Sequence, residues 1–132
     1  MRILLVEDEF VIATSLKFLL ETFGHVVVGI ADDVVSAVNK SECTHPQLAF
    51  VDIQLAHGAS GLDVAAELRK RGVICIFLTG NLPQEPRPDL ALGCLPKPFP
   101  DNSLEGAIRI AEAVIQGMPP PTAPIGFGIY RL

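Results

Sequence analysis

The chain has 132 residues, 49% of them hydrophobic, which fits one small domain with a core covered on both faces. Ten basic against fifteen acidic residues give a net charge of −5, so there is no basic footprint for nucleic acid. Lys17 and Glu21 break the longest apolar stretch short of the roughly 18 residues a membrane span needs, and Met1-Arg2 followed by a short apolar run and acid lacks the core of a secretory signal. A cytoplasmic location with no membrane contact is the expectation.

Taken in chain order, strand and helix alternate. Ile3 to Val6 is a β-rich run, and Phe10 to Phe23 places Val11, Ile12, Leu16, Leu19, Leu20 and Phe23 at helical spacing before Gly24. His25 to Ile30 reads as a second strand, after which Asp32 or Asp33 can cap a helix through Val34, Val35 and Val38. Leu48 to Ile53 is unbroken and apolar, as a strand buried on both faces should be. Gly61 to Arg71 reads as a helix whose basic end suits the dipole, Val73 to Leu78 as a fourth strand and Leu92 to Leu95 as a fifth. Between Thr79 and Leu95 a helix is due, but Pro83, Pro86 and Pro88 leave room for one turn after Pro88 at most. The last helix opens on a capping-box pattern, Asn102-Ser-Leu-Glu105, and runs to about Gln116.

Five alternations predict an α/β, doubly wound parallel sheet over residues 1–117, followed by a Pro/Gly-rich tail over 118–132. In the tail a disordered end is slightly favoured over docking of Phe127 and Ile129 on an apolar patch. Ile110 and Val114, beside the core face of the last helix, either extend an exposed apolar strip for a homodimer or other partner or pack against the sheet edge. Cys43, Cys75 and Cys94 are odd in number and lack metal-ligand spacing, so two of them read as small hydrophobes in strands.

The chemistry lies where strands end. Glu7 and Asp8 follow the first strand, Asp52 lies at the end of the third, Thr79 follows the fourth, and Lys97 follows the fifth. Parallel strands carry such residues to one edge, where open α/β sheets bind ligands. Three carboxylates together call for a hard cation such as Mg²⁺. A carboxylate nucleophile beside a cation and an ammonium can take up a phosphoryl group, with Thr79 donating to the same oxygens. Each residue alone is commonplace at a strand end, and the force of the pattern is that all four elements occur in order.

Val6-Glu7-Asp8, Val51-Asp52-Ile53, Leu78-Thr79-Gly80 and Leu95-Pro96-Lys97-Pro98-Phe99 resemble the receiver domain of two-component response regulators over about residues 1–117. The resemblance implies a five-stranded sheet of order 2-1-3-4-5 and Asp52 as acceptor of a phosphoryl group from a sensor histidine kinase or histidine phosphotransferase. It implies Mg²⁺ on Asp8, Asp52 and the backbone carbonyl of Gln54, with Glu7 acting through water. Thr79 and Lys97 would contact the phosphoryl oxygens, and the Lys97-Pro98 peptide would be cis. It also implies a non-enzymatic protein that signals through an unknown downstream protein. Two departures stand out: Leu95 where the family carries an aromatic switch residue, and the prolines behind Thr79. With Gly61 nine residues after Asp52 where the family commonly has a glycine at eight, the Leu-Thr-Gly sequence and the prolines that replace the fourth helix are together similar to a largely alphaproteobacterial, often stand-alone subfamily. His57 reads as a solvated loop residue, and Gln54 as a candidate modulator of phosphate lifetime. The alternative is a small aspartyl-nucleophile phosphatase of haloacid-dehalogenase-like type, which needs a second acid where this chain has Gln54. A flavodoxin-like cofactor binder would find Glu7-Asp8-Glu9 repelling its phosphate.

Overall fold

The computed structural model describes residues 1–55, 60–80 and 85–130. Its elements are β1 (Arg2–Val6), α1 (Phe10–Thr22), β2 (Val26–Ala31), α2 (Val34–Thr44), β3 (Leu48–Asp52), α3 (Gly61–Lys70), β4 (Ile74–Thr79), β5 (Gly93–Pro96), α4 (Asp101–Gln116) and β6 (Gly128–Ile129). The sheet order is β2-β1-β3-β4-β5-β6. The first five strands are parallel, as the alternation of strand and helix requires. The chain winds outward from β1 to β2, then returns to place β3 on the other side of β1, with Val6 opposite Val51. That reversal opens a crevice beyond the carboxyl ends of β1 and β3.

Side chains alternate between the faces of the sheet and build two cores. Ile3, Leu5, Phe50, Ile76, Leu78 and Leu95 pack with Leu16 and Leu20 of α1 and Leu104, Ile108 and Ala111 of α4. Leu4, Val6, Val51, Phe77 and Cys94 face the other way, toward Ala37 of α2 and Val64, Ala65 and Leu68 of α3. Local sequence sets the helix ends. Asp33 accepts from the Ser36 amide at 2.7 Å in a capping box, and the Ser60 hydroxyl accepts from the Leu62 amide at 3.1 Å. Gly24, at φ +90°, turns the chain after α1 into β2. Among the described residues between β4 and β5 there is one turn, in which the Leu90 and Ala91 amides both donate to the Arg87 carbonyl. Pro83, part of the reasoning against a helix there, lies outside the described residues.

Three expectations need correction, and one alternative left open is decided. The sheet gains a sixth strand, because the tail returns antiparallel along β5 and pairs Ile129 with Gly93 and Gly128 with Cys94. Residues 123–130 therefore dock instead of trailing, and Phe127 is buried between the α1–α4 core and the sheet edge. Asn102 does not cap the last helix: α4 starts at Asp101 behind Pro100, and the Ser103 hydroxyl donates to the Ile125 carbonyl of the tail. Ile110 is fully buried and belongs to the core, which leaves Val114 alone partly exposed. Leu95 faces the α1–α4 core, and the β5 side chain that shares a layer with Phe77 is Cys94.

Candidate functional site

The crevice collects the polar strand ends. Glu7 turns inward after β1, where its amide donates to the Ala31 carbonyl at 2.9 Å and its carboxylate accepts from the Glu9 amide at 3.2 Å. It is 4% exposed, unusual for an unneutralised acid. Asp52 closes β3, and one of its oxygens is aimed by the Gln54 amide at 3.0 Å. Lys97 reaches across from the end of β5, its Nζ 3.0 Å from a Glu7 oxygen and 3.3 Å from an Asp52 oxygen. Asp8 completes the group: one carboxylate oxygen from each of Glu7, Asp8 and Asp52 lies within 4.8 Å of the others. Thr79 is buried at the end of β4, and its carbonyl accepts the Lys97 amide at 2.6 Å, which ties the ends of β4 and β5 together. The Lys97-Pro98 peptide is cis.

Burial raises the Glu7 carboxyl above the usual glutamate range; Lys97 opposes that shift and the neighbouring Asp52 adds to it. Burial by itself would lower the Lys97 ammonium, but Glu7 and Asp52 together hold it above its ordinary value. Among the described residues Lys97 pairs with Glu7 and Asp52 while Asp8 adds a third carboxylate, so the group is short of positive charge. The donors are hard carboxylate oxygens, the chemistry that suits a small divalent cation.

Glu7, Asp8, Asp52 and Lys97 thus meet as the sequence suggested, with Thr79 on the adjoining strand end. Gln54 contributes its backbone amide to Asp52, while its side chain is exposed and the residue bridges to Ser60. His57 lies outside the described residues. One supporting residue had no role assigned from the sequence beyond opening a helix. A Cβ on Gly61 would lie 2.0 Å from the Asp52 carbonyl oxygen, and the Gly61 amide donates to the Ile53 carbonyl at 2.8 Å. The start of α3 presses directly on the backbone that carries Asp52. A glycine nine residues after an acid is the only trace of this in the sequence. Beside the crevice, Phe10, Val11 and Phe18 of α1 are exposed. Val11, Phe18, Leu19, Phe99 and Asp101 line a shallow groove of about 450 Å³ there.

The chain is similar to solved receiver domains. The receiver domain of the PhyR response regulator of Erythrobacter litoralis matches at 29% identity and TM-score 0.73, covering 93% of this chain and 95% of that one. The receiver domain of the sensor histidine kinase PA1611 of Pseudomonas aeruginosa, solved with magnesium in its active-site cleft, matches at 28% identity and TM-score 0.69 over 82% and 93%. In sequence, the phyllosphere-induced regulator PhyR of Methylorubrum extorquens is 41% identical over 92 residues, 62% of this chain and 34% of that protein. The chain therefore spans about a third of the length of that curated relative. Residues 3–109 match the model of the response regulator receiver domain, and with the crevice and sheet order this places the chain in that family.

Proposed function

We propose that this receiver domain accepts a phosphoryl group on Asp52 from the phosphohistidine of a sensor histidine kinase or histidine phosphotransferase, and signals by binding a protein partner. The observation that carries this reading is the Asp52 carboxylate, aimed by the Gln54 amide and set 3.3 Å from the Lys97 ammonium, beside Glu7 and Asp8. In the transfer, an Asp52 oxygen forms a bond to phosphorus as the phosphorus–nitrogen bond of the donor breaks and its electron pair leaves on the imidazole. Lys97, released from Glu7, neutralises the incoming oxygens, and the Thr79 hydroxyl donates to one of them. The carboxylates of Glu7, Asp8 and Asp52 fit Mg²⁺, for which the Gln54 carbonyl would be a further ligand and which when bound supplies positive charge to the transferred group.

A phosphohistidine donor is a protein and must approach over the crevice. The exposed apolar face of α1 with Phe99 borders that approach and supplies a surface on which such a donor can seat. A phosphatase reading is disfavoured, since Gln54 stands where a second acid would act and its side chain is solvent-exposed. No turnover is assigned to the chain beyond its own phosphorylation. Among the described residues no helix is long and apolar enough to cross a membrane.

Incubation with Mg²⁺ and acetyl phosphate, followed by intact mass, tests the reading. A single phosphoryl adduct that needs Mg²⁺ and disappears in Asp52→Asn is expected. Steady release of phosphate from unrelated esters without an adduct would favour the phosphatase instead.

A further inference from the structure

The tail is seated on the outer side of the strand that presents Lys97. Its polypeptide sits in two places where the receiving surface has no side chain. A Cβ on Gly93 would lie 2.4 Å from the Gly128 carbonyl oxygen and 2.8 Å from the Phe127 ring, and one on Gly106 would lie 2.9 Å from the Pro124 ring. The Tyr130 amide donates to the Leu92 carbonyl at 2.9 Å, which extends the β5–β6 pairing by one bond. Tyr130 packs against the cluster that contains Cys94, and its ring lies 6.5 Å from that of Phe77 at a 54° tilt. Phe77 is two residues before Thr79, and Cys94 is three before Lys97. The last aromatic residue of the tail therefore touches both strands whose ends would handle the phosphoryl group.

We infer that docking of residues 123–130 on β5 is coupled to the state of Asp52: a phosphoryl group there loosens the tail, and a loosened tail favours the phosphoryl group. This inference rests on the phosphoryl-acceptor reading and deepens it. Oxygens added to Asp52 draw the Thr79 hydroxyl and the Lys97 ammonium toward β3, away from the side of β5 on which β6 lies. The Thr79–Lys97 backbone bond makes the two strand ends move together. A packed interior would resist such a shift. Here a pocket of about 310 Å³ that opens to solvent adjoins the Phe77 and Tyr130 rings, with Ile53, Leu62, Glu85 and Arg87 on its wall, and gives Phe77 room to follow. β6 depends on β5 for its hold: it is two residues long, the stretch that precedes residue 123 is exposed, and its close contacts at Gly93 move with that strand. Release uncovers the hydrogen-bonding edge of β5 at Gly93 and Cys94.

Amide hydrogen exchange of the full chain, with and without Mg²⁺ and beryllofluoride as the phosphoryl mimic, tests the coupling. Loading is followed by its thermal shift, which Asp52→Asn should abolish. In the loaded protein the Phe127 and Tyr130 amides are expected to exchange at least about fivefold faster, the low end of ordinary coupling between sites. By reciprocity, Phe127→Ala, which removes the anchor of the tail, should tighten beryllofluoride binding by a similar factor. Loading with unchanged or slower exchange of those amides would overturn the coupling while leaving the acceptor reading intact. Absence of loading would overturn the acceptor reading, and the coupling with it.

Discussion

The crevice and the tail edge of the sheet are built from opposite materials. In the crevice, charged side chains from β1, β3 and β5 converge on each other, held by strands that are hydrogen-bonded on both sides. At the tail edge, Gly93 and Gly106 supply space, and a proline and a phenylalanine fill it. The first region is defined by groups that are present and the second by groups that are missing. A function can be inferred from the kinds of residue in the first. The second emerges only once the chain is folded onto itself.

The comparison predicts that both regions fail when a side chain is added or lost at a close approach, and by different amounts. Gly61→Val should have the largest effect, because its Cβ would collide with backbone and not with a side chain that can move aside. A loss of about 3 kcal/mol in denaturant unfolding is expected, at the upper end for overpacking, together with loss of phosphoryl uptake by the molecules that still fold. A fully active, equally stable variant would show that α3 does not brace Asp52. Phe127→Ala should cost less, about 2 kcal/mol, since Phe127 is buried at an edge that can partly close. Proteolysis of the variant within residues 118–126 should become faster while the sheet survives; a tail as protected as before would mean that pairing alone holds it.

The smallest effect concerns the buried acid. The Glu7 carboxyl is raised above its unfolded value, so its contribution to stability is complete below the ordinary glutamate range near 4.5 and is lost as pH rises through the raised value. Glu7→Gln imitates the protonated form. In the absence of Mg²⁺, its melting temperature relative to the parent should climb by a few degrees across that window and level off above it. A constant offset from pH 4 to pH 8 would mean that Glu7 is not desolvated in solution.

How much of this was legible follows from the same contrast. The crevice could be read because Glu7, Asp8, Asp52, Thr79 and Lys97 each follow an apolar run, and parallel strands must carry such ends to one edge. That no helix stands between β4 and β5 among the described residues could be read from Pro86 and Pro88, since a ring in place of an amide has a local effect. The role of Gly61 could not, because the Asp52 carbonyl against it is brought there by tertiary packing. Nor could the docking of the tail. Its prolines suggested an extended spacer, and the surface that receives it is marked by two glycines some thirteen residues apart, Gly93 and Gly106. The Asn102 cap failed for a similar reason: Pro100 starts α4 earlier, and Ser103 is engaged by the tail.

The central claim is that Asp52, of the three carboxylates, carries the phosphoryl group. An acyl phosphate is reduced by borohydride to an alcohol, which converts the phosphorylated aspartate to homoserine and leaves free carboxylates unchanged. Treatment of the acetyl phosphate-loaded protein, followed by peptide sequencing in the mass spectrometer, should place homoserine at position 52 and nowhere else. Reduction at Asp8 or Glu7, or no reduced residue in a protein that carries the phosphoryl mass, would contradict the account.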